Sequence, residues 1–244
     1  MKIKVINPNT TWTMTEKIGA AARAVAAPET EIVAVSPTMG PASIEGFYDE
    51  AFAAVGVIDE VRKGEAEGCD GYVIACFGDP GLAAAREIAS GPVVGIAESA
   101  MHAASLIGTG FSIVSMLERG RASMEHLVHA YGMHGRCRSI RMTDIPVLDL
   151  EEEGSDAQAL VIAACRAAIE EDHADCVLLG CGGMSDLMKK VTAEIGAPAI
   201  DGVSAGVKLV EALVGLGLGT SKRHGYARPL PKEYVGAFSD YALK

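Results

Sequence analysis

The feature that most constrains this chain is a strand-and-turn pattern that occurs twice. Asp70-Gly-Tyr-Val-Ile-Ala-Cys-Phe-Gly and Asp175-Cys-Val-Leu-Leu-Gly-Cys-Gly-Gly share an acidic start, an apolar run and a cysteine that leads into a turn. Gly91-Pro-Val-Val-Gly-Ile-Ala-Glu-Ser-Ala is matched by Ala197-Pro-Ala-Ile-Asp-Gly-Val-Ser-Ala-Gly. The offset holds, with 105 residues from Cys76 to Cys181 and 106 from Pro92 to Pro198. Met1–Asn7 likewise corresponds to Gly110–Met116. Matched segments at matched offsets read as one α/β plan used twice.

Short apolar runs alternate with Ala-rich helical stretches, which calls for parallel sheets covered by helices. The strands read Lys2–Asn7, Glu31–Ser36, Tyr72–Phe77, Pro92–Ile96, Phe111–Met116, Ser139–Met142, Cys176–Cys181 and Pro198–Asp201. They are continuous rather than alternating, as strands buried on both faces are. Met14, Ile18, Ala21, Ala22 and Val25 form one helical stripe, with Thr13 and Glu16 spaced as a capping box. A second helix runs from Tyr48 to Arg62 and is expected to stop at Lys63-Gly64. The fold class is therefore α/β, with two pseudo-symmetric Rossmann-like lobes and the active site in the cleft between them. One lobe is residues 1–98 plus 204–224, with the helix Ser204–Leu216 crossing back. The other is 99–203, and 225–244 is a C-terminal strap.

Charge narrows the partners. With 21 basic and 32 acidic side chains the formal charge is −11. A nucleic-acid surface needs a basic excess to displace counterions from phosphate, so nucleic acid is not an expected partner. Mean hydropathy is high at +0.24. Even so, no apolar run approaches the ~20 residues of a membrane helix, and Lys2, Lys4 and Asn7 interrupt the start too early for a signal peptide. The expected setting is cytoplasmic, with the six cysteines as free thiols.

Cys76 and Cys181 sit where chemistry is expected. Each ends a buried strand and leads into a turn, Phe77-Gly78-Asp79-Pro80-Gly81 or Gly182-Gly183-Met184-Ser185-Asp186. Ligands of open parallel sheets bind outside the carboxyl ends of the strands. Helices expected to start at Pro80 or Gly81 and at Ser185 would direct positive field at the thiols and lower their pKa. Two thiols facing each other across a cleft suit one reaction. One thiolate removes a proton from a carbon beside a carbonyl, and the other thiol returns a proton to the opposite face. Backbone N–H groups of Phe77, Gly78, Gly182 and Gly183 are candidate donors to the carbonyl. No metal or organic cofactor is needed. Buried packing accounts for many lone cysteines, but not readily for a matched pair before turns.

With those residues in view, the chain resembles the hydantoin/allantoin racemase branch of the cofactor-independent aspartate/glutamate racemase superfamily. The resemblance is carried by Val5-Ile-Asn-Pro-Asn-Thr-Thr, Ser43-Ile-Glu-Gly, Ile74-Ala-Cys-Phe-Gly-Asp-Pro-Gly-Leu, Gly95-Ile-Ala-Glu, Leu178-Leu-Gly-Cys-Gly-Gly-Met and Ile200-Asp-Gly-Val-Ser-Ala. Ala20-Ala-Ala-Arg-Ala-Val-Ala-Ala-Pro and Ile44-Glu-Gly-Phe-Tyr-Asp-Glu-Ala look closest to allantoin racemases. It implies inversion at C5 of a 5-substituted hydantoin, with allantoin ahead of amino-acid-derived hydantoins, and a homo-oligomer. Asn9 is a candidate ligand of the ring amide, while Ser43 and Ile44 lie in a loop over the cleft. Ser115, Met116 and Arg119 are the counterparts of the first turn in the second half, and Met116 would shape the pocket wall. Malonate-type decarboxylases resemble the same superfamily but keep one thiol of the pair, and maleate-type isomerases keep both. A ligand-binding protein without chemistry is the alternative of another class.

Other conspicuous segments read as structure. Gly215-Leu-Gly-Leu-Gly-Thr-Ser follows a helix rather than a strand, so it is a helix stop and not a nucleotide loop. His126, His129 and His134 lack thiol or carboxylate partners at zinc-site spacing. Glu151-Glu-Glu-Gly reads as a solvated loop.

Overall fold

The computed structural model describes residues 1–151 and 156–242. Two parallel four-stranded sheets have the same strand order. In the first, β2 (Glu31–Val35), β1 (Lys2–Ile6), β3 (Gly71–Ile74) and β4 (Val93–Gly95) lie side by side. In the second, the order is β6 (Cys137–Met142), β5 (Phe111–Ser115), β7 (Cys176–Leu179) and β8 (Ala199–Asp201). The register is equivalent: Ile3 pairs with Gly71 in one half and Phe111 with Cys176 in the other. The central strands are buried along almost their whole length, which explains why they read as continuous apolar runs.

In both sheets the chain goes one way from the first central strand and the other way from the second. The crevice at that switch point is a natural ligand position. It opens at the carboxyl ends of β1 and β3 in one half, and of β5 and β7 in the other. Four strand ends and the turns after them converge there, and they carry Asn7 and Asn9, Cys76, Ser115 and Met116, and Cys181.

The halves exchange helices. Helix α4 (Ile96–Ile107) leaves β4 and packs on β7 and β8, whereas α8 (Gly202–Gly215) leaves β8 and packs on β3, β4 and α1 (Trp12–Val25). The expected division between residues 98 and 99 falls within α4. The helix exchange needs close contact: a Cβ on Gly202 would lie 2.4 Å from the Ile96 carbonyl oxygen. One buried apolar cluster consequently runs through both halves, from Ile3 and Val73 to Ile113 and Leu178. Asp201 caps α8 by accepting from the N–H groups of Val203 and Ser204.

Some element ends differ from the sequence-based expectation. The β3 and β7 strands stop two residues before their cysteines, so both thiols stand on turns. The N-cap of α1 is Thr11 rather than Thr13, and Glu16 accepts from the indole N–H of Trp12 instead of closing a capping box. Helix α2 (Phe47–Ala66) runs through Gly64, because this glycine is packed where a Cβ would lie 2.5 Å from the Tyr72 ring. At the other stop, α8 ends at Gly215, and Gly217 takes up a left-handed φ of 70°. The tail binds to helix α3 (Leu82–Ile88) and to α2: Lys222 donates to the carbonyls of Arg86 and Glu87, Arg228 to that of Ile88, and Arg62 to that of Asp240. Of the acidic loop Glu151-Glu-Glu-Gly, residues 152–154 lie outside the described residues.

Candidate active site

Cys76 and Cys181 line one cavity. Their turns touch: a Cβ on Gly182 would stand 2.6 Å from the carbonyl oxygen of Ala75. Only a glycine after Cys181 lets the two thiol-bearing backbones come this close.

The Cys76 turn is fixed by Asp79, which has a φ of 45° and donates its N–H to the Cys76 carbonyl at 3.0 Å. The Asp79 carboxylate accepts from the N–H groups of Ala97 and Glu98 at the start of α4, at 3.1 and 3.0 Å. It also accepts from the Tyr131 hydroxyl at 2.7 Å. Tyr131 ends α5 (Arg121–Ala130), so this one buried carboxylate ties the Cys76 turn to the second half. Burial pushes the Asp79 carboxyl up to about 7, against the lowering pull of these hydrogen bonds.

The expected acidification of Cys76 is not what the surroundings produce. Burial raises its thiol well above the ordinary value, and charge on Cys181, Glu50 and Asp79 pushes the same way. The N–H of Gly78 pulls the other way, because it is directed at the Cys76 sulfur. Helix α3 begins only at Leu82, too far along the chain for its first-turn field to dominate. The corresponding turn in the second half is a 3-10 segment, Gly182–Leu187, with the Met184 N–H on the Cys181 carbonyl. Helix α7 (Met188–Ile195) starts after it, later than the expected Ser185.

Of the other residues singled out in the sequence, Asn9, Ile44, Phe77, Gly78, Ser115, Met116 and Gly182 line the cavity. Ser43, Gly183 and Arg119 do not. Pro41 and Ala42, just before Ser43, are pinned by Thr10 and Thr11. Gly183 is buried, and Arg119 is exposed, with its guanidinium over Gly46 at the rim. The Asn9 carbonyl is spent on the Asn7 amide and the Thr11 N–H, each at 2.9 Å. Among the described residues its own amide donates only to the Met14 sulfur, a weak acceptor, so that nitrogen can serve a ligand. The Ser115 hydroxyl donates to the Gly180 carbonyl at 2.8 Å and thereby steadies the Cys181 turn.

The sequence reading missed an acidic and thioether-rich wall. Glu45 and Glu50 come from the start of α2 and the bend before it, Ser123 and Met124 from α5, and Met142 from the end of β6. Among the described residues, no lysine, arginine or histidine lines the cavity. Nor, among them, could any group of three or more His, Cys, Asp or Glu hold a metal ion, and among them no two cysteines are joined in a disulfide. His129 and His134 stack on each other, with ring centroids 5.3 Å apart.

Comparison with known proteins shows the family. A family model described as Asp/Glu/Hydantoin racemase matches residues 3–210. A hydantoin racemase of Pseudomonas sp. (strain NS671) is 51% identical over 241 residues, which cover 99% of this chain and 97% of that protein. Among solved structures, an allantoin racemase from Klebsiella pneumoniae superposes with a TM-score of 0.97 at 54% identity, covering 99% of both chains. An allantoin racemase from Pseudomonas fluorescens gives 0.93 at 39% identity, covering 97% of this chain and all of that one.

Proposed function

Because the chain belongs to the Asp/Glu/hydantoin racemase family, we propose that it inverts C5 of a 5-substituted hydantoin, with allantoin as its substrate. The observation that carries this reading is the cavity itself, which is lined by two thiols and by no cationic side chain among the described residues. Dicarboxylates such as aspartate, glutamate, malonates and maleate would enter as anions and meet Glu45 and Glu50 with nothing to neutralise them. A hydantoin is neutral and carries both N–H donors and carbonyl acceptors. It matches the Asn9 amide nitrogen, the backbone N–H groups of the two turns other than that of Gly78, and the two carboxylates.

The chemistry is a two-base proton exchange. One sulfur takes the C5 proton as the C–H bond breaks, and the electron pair moves onto the neighbouring carbonyl oxygen. The other sulfur gives up its proton to C5 on the opposite face, and the electrons return. Nothing is oxidised or reduced, and the pair ends with its proton on the other thiol. Either sulfur starts protonated, according to the enantiomer bound, and burial raises the Cys76 thiol. The Gly78 N–H, aimed at that sulfur, stabilises the thiolate after the proton leaves.

The wider reading is a cytoplasmic, homo-oligomeric enzyme of purine catabolism that uses no cofactor. It is compatible with the finding that no described helix is long and apolar enough to cross a membrane. Polarimetric decay of enantiopure allantoin, without added metal or cofactor, tests the reading. Decay at the spontaneous rate would reject it.

A further inference from the structure

The wall of the cavity opposite in chemistry to the thiols contains two carboxylates with unused capacity, and Glu50 is the one that stands against Gly78 of the Cys76 turn. Glu50 lies in the first turn of α2, in one half of the molecule. Ser123 lies on α5, in the other half, and its hydroxyl donates to Glu50 Oε1 at 2.8 Å. Among the described residues that is the only side-chain hydrogen bond of Glu50, and no cation pairs with it. Glu45 likewise accepts one such bond, from the Val147 N–H at 3.3 Å.

Room for Glu50 beside the Cys76 turn is made by Gly78, where a Cβ would lie 2.7 Å from Glu50 Oε1. The thioethers of Met116, Met124 and Met142 line the same cavity. A carboxylate only accepts hydrogen bonds. Set among thioethers without a cation, it favours a ligand that brings N–H groups and disfavours one that leaves it covered and unpaired.

We propose that Glu50, steered across the cleft by Ser123, is a specificity-determining residue that accepts N–H groups from the C5 substituent and so selects a ureido-bearing hydantoin over an alkyl-bearing one. This rests on the hydantoin racemase reading above. Glu50 would touch the substrate, whereas Ser123 acts through Glu50 and is a positioning residue.

The test compares kcat/KM on enantiopure allantoin and enantiopure 5-methylhydantoin for the wild type, Glu50→Gln, Ser123→Ala and Ser123→Thr. Circular dichroism melts check that each variant is folded. Glu50→Gln should lower the allantoin-to-methylhydantoin ratio of kcat/KM by roughly 10- to 100-fold, the range expected when a charged acceptor is lost. The loss should fall mainly on KM for allantoin. Ser123→Ala should lower the ratio by a smaller factor, and Ser123→Thr, which keeps the hydroxyl, should restore it. An unchanged ratio in Glu50→Gln and Ser123→Ala, whether both substrates slow together or neither does, overturns the assignment while leaving the racemase reading intact. A wild-type protein inert on both hydantoins overturns the reading, and the assignment with it.

Discussion

Replacing Gly182 by alanine perturbs the spacing of the two thiols without removing either. The new Cβ would stand 2.6 Å from the Ala75 carbonyl oxygen and 3.3 Å from Ile18 Cδ1. Ordinary contact begins at 3.4 Å, so the Cys181 turn and the Cys76 turn must part by about 0.8 Å. Ala75 is backbone-bonded to β1 through the Ile6 carbonyl, so the first half yields little. Overpacking of this kind costs about 1–3 kcal/mol of stability. A misplacement near 1 Å between reacting groups can cost on the order of 100-fold in rate. Gly182→Ala should therefore remain folded at 25 °C, with a lowered melting temperature and kcat/KM reduced by roughly 100-fold. Gly135→Ala is the control: nothing among the described residues lies within 4 Å of a Cβ there, and its effect should stay within about 0.5 kcal/mol. The assay is polarimetry on enantiopure allantoin beside urea denaturation of the same samples. Wild-type kcat/KM in a folded Gly182→Ala protein would refute the idea that contact between the two turns sets the thiol geometry.

Three further outcomes are expected. Cys76→Ser and Cys181→Ser should each abolish racemisation, and full activity in either would exclude a thiol pair; each variant can still exchange the C5 proton of one enantiomer with solvent, which deuterium incorporation by NMR would detect. The pH profile of kcat/KM should be bell-shaped, reporting the pair rather than either sulfur; since burial raises Cys76, its alkaline limb should lie above the ~8.5 of a free thiol, and a limb at or below that value would contradict the burial argument. Asp79 is held up to about 7 from 3.8, so between about pH 4 and pH 7 the unfolded chain loses a proton that the folded protein keeps, and wild-type stability should fall across that window by on the order of 2–4 kcal/mol; urea titrations at pH 5 and pH 8 should show this fall, and it should be missing in Asp79→Asn.

Much of the fold was legible because burial on both faces leaves the central strands as uninterrupted apolar runs. The repeat of Cys76 and Cys181 at one offset then placed two turns at equivalent sheet positions. Local rules failed where tertiary contacts overrode them. Gly64 looks like a helix stop, yet α2 continues because its bare Cα meets the Tyr72 ring. Thr13 and Glu16 have capping-box spacing, yet Trp12 already belongs to the helix and takes Glu16 for its indole. The thiol environment was misjudged for a related reason. A turn followed by a helix suggests a positive field, but α3 starts too late and burial dominates Cys76. Glu50 and Ser123 were invisible because they are 73 residues apart and meet only when the halves come together. The one local sign was a carboxylate in the first turn of a helix, which macrodipole compensation explains equally well.

The central claim is that Cys76 and Cys181 exchange protons at C5 from opposite faces. The most direct measurement is initial-rate turnover of one allantoin enantiomer in D2O, with NMR of C5 in both product and recovered substrate and subtraction of spontaneous exchange. Two bases predict deuterium in the product enantiomer while recovered substrate keeps its proton, because the donating thiol carries a solvent deuteron. Product that retains the original C5 proton would point to a single base acting on both faces and would contradict the account.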